Sequence, residues 1–235
     1  MATVVLACRT LEAELREALA NTDSQCSVKW IESGLHNVPK HLRNRIQQEL
    51  DACPEEIDTV LMAMSFCGNS VSGLCTQDFS LVIPRCDDCI DLLMGSVERR
   101  REEYATYFLT EGWLRGERNI WSECRMTLEK YGEKRGRRII RAMLGHYRNL
   151  AYLDTGLDFP KTEETIQAIA KEIGLEYMRI TGTLEYLERL LTGPWDKERF
   201  LVVPPHSSIK EEDLSRKEGY GMDQNTAILP GSWRD

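Results

Sequence analysis

The sequence predicts an α/β fold: a mostly parallel, Rossmann-like sheet or pair of sheets with helices on both faces and a helical middle segment. Three observations lead to it. Short apolar runs rich in Val, Ile and Leu recur along both ends of the chain, each too short for a buried helix. Amphipathic stretches of ten or more residues separate them, which is the spacing of strand–helix–strand units. Residues 97–149 break the rhythm with a charge-rich stretch of helical periodicity.

Residues 3–7 read as a buried strand and 10–20 as a helix with Thr10 at its N-cap. A second strand covers 27–32. Pro39 opens a helix to about Leu50, as proline suits a first helical turn. Residues 58–65 and 79–84 read as strands, and a short helix runs from Asp88 to about Met94, stopped by Gly95. In the middle, Val97–Tyr107 and Trp121–Leu144 read as helices. Alternation then resumes: strand 150–153, helix Thr162–Ile173, strand 175–180, helix Thr183–Leu191 and strand 200–203. This divides the chain into an α/β half (1–96), a helical insertion or cap (97–149), a second α/β half (150–206) and a polar tail (207–235). Two small lobes and one continuous sheet both fit the pattern.

Bulk properties narrow the function classes. Net charge is −8 over 235 residues, which argues against a broad phosphate-binding face and so against a nucleic-acid partner. No apolar run approaches 18 residues, and the N-terminus lacks the basic region of a secretory signal, so a cytoplasmic protein without a membrane partner is expected. In that compartment eight cysteines point to metal binding or catalysis rather than a disulfide framework.

Three of those cysteines sit just past predicted strands. Cys8 follows Ala7, Cys67 follows the run ending at Ser65, and Cys89 comes shortly after Pro84. Ligands of open α/β sheets bind outside the carboxyl ends of strands, so these thiols are expected at one rim. His36, in the loop after the second strand, falls on the same rim. Cys8, Cys67, Cys89 and His36 are a donor set that tetrahedral zinc accepts. Three thiols with an open position equally suit an iron–sulfur cluster such as a 4Fe-4S centre. In the Cys67-Gly68-Asn69-Ser70 turn, Gly68 allows a tight turn, and Asn69 and Ser70 are expected to cap the following segment and aim backbone N–H groups at a bound group, which favours thiolate at Cys67 and makes Gly68 and Asn69 candidate cofactor contacts. Asp154, Thr155 and Thr181, at the ends of later strands, are candidate contacts to a polar cofactor edge, although tight turns account for them more simply. Cys86 and Cys89 make a single C-x-x-C, without the second pair of a zinc ribbon. The basic run Lys134 to Arg141 reads as a solvated helix face. His206 reads as a loop residue.

Cys8-Arg9-Thr10-Leu11-Glu12, Gly34-Leu35-His36, Cys67-Gly68-Asn69, and Pro84-Arg85-x-x-Asp88-Cys89, with Tyr107-Phe108-Leu109-Thr110 and Asp154-Thr155-Gly156, resemble a domain-of-unknown-function family of anaerobic bacteria and archaea. Its genes often lie beside corrinoid-dependent methyltransferase systems. The resemblance implies a role in anaerobic one-carbon metabolism, with a corrinoid, a corrinoid protein or a methyltransferase as partner. Where that family carries an apolar residue followed by histidine, this chain has Cys86-Asp87, so Cys86 is an added thiol. Two alternatives to a zinc-thiolate protein supporting methyl transfer follow: an iron–sulfur protein for electron transfer or sulfur chemistry, and a non-catalytic module that binds a corrinoid or a methyltransferase.

Overall fold

A computed structural model describes residues 2–95, 104–116, 119–157, 159 and 161–214. They divide into two compact units. The first combines the chain up to Leu92 with the segment from Leu184 onward, and the second comprises Leu93–Thr183.

The first unit is built on five strands: β1 (Ala2–Cys8), β2 (Ser27–Ile31), β3 (Ile57–Ala63), β4 (Ser80–Pro84) and β8 (Phe200–Val203), in the order β2-β1-β3-β4-β8. The first four pair in parallel, and β8 closes the edge antiparallel to β4. The near-continuous burial of Val4–Ala7, Val60–Ala63 and Leu81–Pro84 is what a sheet covered on both faces demands. Helix α2 (Pro39–Asp51) turns Leu42, Ile46 and Leu50 onto Val4, Leu6, Val60 and Met62. Each such side chain contributes about 1.5–3 kcal/mol on burial. The Arg45–Glu49 pair on the outer side of α2 is worth only about 0.3–0.5 kcal/mol, so apolar spacing anchors the helix. Helix α1 (Glu12–Asn21) packs against α7 (Glu185–Thr192), and α7 packs on β3 and β4.

The second unit carries a separate parallel sheet, β5-β6-β7, from Thr106–Leu109, Asn149–Asp154 and Glu176–Thr181. After the short helix α4 (Glu111–Arg115), helix α5 spans Ile120–Leu144 but breaks at Gly132 (φ 72°), so two helical arms meet there. The arms touch: a Cβ on Gly136 would lie 3.0 Å from both Cα and Cδ2 of Leu128. Asn119 and Ser122 form a reciprocal capping box at its start. Helix α6 (Thr162–Ile173) buries Ile166, Ile169 and Ala170.

The expected α/β architecture is therefore present, with its helical middle, as two sheets rather than one. Two elements differ from expectation. In the run expected as a helix over Val97–Tyr107, Tyr104 and Ala105 lie in a turn and Thr106 and Tyr107 lie in a strand, because Thr106–Leu109 pairs with β6; residues 97–103 lie outside the described residues. The strand at 200–203 returns to the first sheet, where Leu201 and Val203 join its core. Of the tail, 215–235 lie outside the described residues. Its beginning is stitched down: Ile209 is buried and exchanges backbone hydrogen bonds with Gly73 and Leu74. Among the described residues no helix is long and apolar enough to cross a membrane.

The close approach of the arms makes Gly136→Ala an overpacking substitution. We expect a loss of about 1–3 kcal/mol in urea denaturation, and Gly145→Ala, at the exposed helix end, to cost less in the same assay.

Candidate thiol site

The strand order β2-β1-β3-β4 reverses direction between β1 and β3, which is the switch point where a doubly wound sheet opens a crevice. Cys8 is the last residue of β1. Cys67 lies four residues beyond β3, and Cys89 is the first residue of α3 (Cys89–Met94), after β4. The exits of β3 and β4 are joined by backbone hydrogen bonds from Phe66 N to Cys86 O and from Cys67 N to Asp87 O, both 3.0 Å.

One hydroxyl connects the two thiols. Ser65 Oγ stands 3.2 Å from Cys67 Sγ and 3.7 Å from Cys89 Sγ. Cys8 Sγ has a separate partner, Thr10 Oγ1 at 2.9 Å. Thr10 is therefore not the cap of α1; it lies in a 3-10 turn, Arg9–Leu11, and its hydroxyl holds the sulfur two residues back.

The turn that presents Cys67 is strained. Cys67, Gly68 and Asn69 all have positive φ, at 42°, 65° and 63°. Only the glycine adopts such values freely, and a run of them marks a conformation fixed by its surroundings. The fixing groups are visible. Ser70 N and Ser70 Oγ both donate to Phe66 O at 3.0 Å. Arg43, on α2, donates to the carbonyls of Asn69 and Ser70 at 3.0 and 3.4 Å. Ser70 thus closes the turn on itself instead of capping a following helix. Gly68 and Asn69 are exposed beside the half-buried Cys67.

The three thiols differ in electrostatics. Cys67 is held below the ordinary thiol range, first by the Cys89 thiol placed to donate to it and then, against burial, by the Ser65 hydroxyl. Cys89 is pushed well above it, because its proton serves Cys67 and because it is buried; charge on Cys67 or Cys8 adds in the same direction. Burial also raises Cys8, with Thr10 opposing. The cluster therefore holds two sulfurs that keep their protons more firmly than an ordinary thiol around one that releases its proton more easily.

His36 stands on the same rim, in a 3-10 turn (Leu35–Asn37) entered through left-handed Gly34. Burial lowers its pKa, and the charge of Asp88 opposes. Asp88 also acts on Cys67 and caps α3, accepting from Ile90 N and Asp91 N at 2.9 and 3.1 Å. The structure thus places Cys8, Cys67 and Cys89 within electrostatic reach of one another, with His36 linked to them through Asp88. Among the described residues no three His, Cys, Asp or Glu side chains stand together as a ready metal-holding group.

The remaining candidates lie elsewhere. Asp154, Thr155 and Thr181 belong to the second unit. Asp154 is committed to Arg179 at 2.6 Å and to Gly156 N at 3.0 Å. Cys86 is buried beside the β4 exit. His206 faces Asp78 at 3.0 Å on the surface. Lys134 to Arg141 are largely exposed, with Arg137 paired to Glu133. A cavity of about 210 Å³ in the second unit, walled by Trp121, Cys124, Leu128 and Ile140, contains none of the predicted ligands. Sequence reasoning missed Ser65 and Arg43, whose contacts to Cys89 and to the Cys67 turn join residues 24 or more apart, and read Thr10 as a helix cap where its hydroxyl serves Cys8.

A family model matches residues 30–191. The chain belongs to the family described as protein of unknown function (DUF1638). The matched span contains His36, Cys67 and Cys89, while Cys8 precedes it. No curated protein and no solved structure matches the chain.

Removing the clamp tests whether α2 sets the turn. Arg43→Gln is expected to cost about 1–2 kcal/mol in urea denaturation and to speed alkylation of Cys67, read by mass spectrometry of the Cys67 peptide. An unchanged alkylation rate would show that the turn holds without Arg43.

Proposed function

We propose that Cys8, Cys67 and Cys89 form a thiolate centre for a thiophilic metal ion, with zinc preferred, and that this centre supports methyl transfer to a thiol in corrinoid-linked one-carbon metabolism. The observation that carries the reading is the gathering of three sulfurs from three strand exits at the switch point, two of them on one hydroxyl. The donor types suit zinc, three soft sulfurs with a fourth position for a substrate, although among the described residues they do not stand together as a ready metal-holding group. The sulfurs must draw in from Thr10 and Ser65 to reach the roughly 2.3 Å of a zinc–sulfur bond.

When bound, the ion would act as a Lewis acid that lowers the pKa of a substrate thiol. The chain's own residues do the rest. Cys67, already biased to thiolate, supplies the first anionic sulfur, and Ser65 and Thr10 orient the donors. Exposed Gly68 and Asn69 form the lip past which a substrate enters. His36, kept neutral by burial, is available as a fourth donor or as a proton acceptor for the incoming thiol. A methylated corrinoid would supply the methyl group to that substrate thiolate, with the reduced cobalt as leaving group. The methyl donor and its protein partner rest on the family resemblance alone.

Metal analysis of anaerobically purified protein tests the centre. About one zinc per chain is expected, lost on Cys67→Ala. A brown protein with visible absorption would replace zinc by an iron–sulfur cluster on the same thiols. Absence of both metals would end the reading. Because Cys8 and Cys89 are protonated at neutral pH, zinc uptake is expected to release about two protons or more. Affinity should therefore fall as pH is lowered. Proton release in weakly buffered solution measures this, and a release near zero would exclude these two sulfurs as ligands.

A further inference from the structure

We propose that, in the metal-free protein, Cys67 and Cys89 act as a dithiol pair in thiol–disulfide exchange with a small organic disulfide, Cys67 attacking and Cys89 resolving. The inference concerns two sulfurs of the proposed metal centre but does not rest on that reading, since the pair needs no ion.

The placement of the two residues is set by the sheet. β3 and β4 are adjacent and parallel, and their exits stay joined through Phe66 with Cys86 and Cys67 with Asp87. Cys89 follows two residues later, at the first position of α3. Both sulfurs then lean on the same oxygen, Ser65 Oγ. The third thiol has its own anchor, because Cys8 Sγ is tied to Thr10 Oγ1 at 2.9 Å. Among the three, the pair most directly bridged is therefore 67 with 89.

Exposure separates the roles. Cys67 is half-buried and stands on a strained left-handed turn whose next two residues are exposed, so opening of that turn uncovers its sulfur first. Cys89 is only 6% exposed and is shielded from that first attack. The steps balance. The Cys67 thiolate attacks one sulfur of R–S–S–R; an S–S bond forms to Cys67, and RS⁻ leaves with the electron pair and takes a proton. Cys89 then loses its proton and attacks Cys67 Sγ, forming the Cys67–Cys89 bond and expelling the second RS⁻. Two protein thiols are oxidised and one organic disulfide is reduced to two thiols.

The test uses the full chain, stripped of metal with a chelator under anaerobic conditions and treated with 2-hydroxyethyl disulfide. Intact mass and peptide mapping are the readouts. The expected result is loss of two hydrogens and a linked peptide joining positions 67 and 89. In Cys89→Ser, a mixed disulfide should persist on Cys67 about tenfold longer than in the unsubstituted chain or more. Cys89→Ala serves instead if circular dichroism shows the serine variant unfolded. In Cys8→Ser the 67–89 link should still form. A link from Cys67 to Cys8, no link at 67–89 while other thiols react, or equal lifetimes of the mixed disulfide would each overturn the proposal. Zinc uptake by the same preparations separates the two readings. A 67–89 link in a chain that never takes up zinc defeats only the metal centre, and zinc uptake without the link defeats only the exchange.

Discussion

Parallel pairing of β1, β3 and β4 is the constraint on which the candidate site depends. In a parallel sheet the strands all run the same way, so residues at their carboxyl ends are brought to one edge whatever their separation along the chain. Cys8, Cys67 and Cys89 span 82 positions of sequence, yet the register Ala7 to Ala63 and Leu61 to Val82 lines up their exits. The helices contribute by burial: α2 and α7 seal the sheet, and α2 also carries Arg43 to the turn after β3. The same element that fills the core therefore fixes the backbone beside the thiol.

The sheet delivers three equivalent residue types, but their surroundings make them unequal. Burial alone would raise all three thiols, and it does raise Cys8 and Cys89. At Cys67 donors outweigh it: the Cys89 thiol and the Ser65 hydroxyl both favour the anion. A cluster in which every sulfur were anionic would repel itself, and one in which all were neutral would be inert. Sulfurs that hold their protons with unequal strength, Cys8 and Cys89 firmly and Cys67 less so, avoid both. This inequality also gives Ser65 a role beyond packing, since it is the neutral group that touches both members of the closest pair.

Much of this was legible in the sequence because strands and their exits have local signatures. Apolar runs marked seven of the eight strands among the described residues, and Pro39 marked the start of α2. Asp88 as the cap of α3 was legible for the same reason, since the residue type and its place before an apolar run are local. Thr106–Leu109 was not, because Tyr107 fits a helical period as well as a strand and only pairing with β6 decides. The return of Phe200–Val203 to β4 was hidden in the same way: an edge strand carries no mark of its partner. At the site, residue type and strand position pointed to the thiols. The left-handed turn, the Arg43 clamp and the shared Ser65 hydroxyl arise from tertiary contacts at a sequence distance of 24 residues or more, or from φ values that Cys and Asn do not announce.

The late segment explains why such a turn can hold its shape. Pairing of β8 with β4 runs through Pro84 and Phe200, and Arg85 N donates to Arg199 O at 2.7 Å, so the β4 exit is gripped up to four residues before Cys89. On the other side, Thr76 Oγ1 bonds the carbonyls of Pro204 and Ser207, tying the β3–β4 connection to the same returning chain. The loop bearing Cys67 is thereby fastened through Arg43 at its tip, through Asp87 at its start and through residues 204–209 at its far end. A site held within a fraction of an ångström needs its backbone fixed by elements that do not themselves take part in chemistry. Here those elements come from both ends of the chain. The discontinuity of the first unit is thus part of how the thiol rim is made rigid, and the 93–183 segment is an insertion between the strands that build the rim and the strand that braces it.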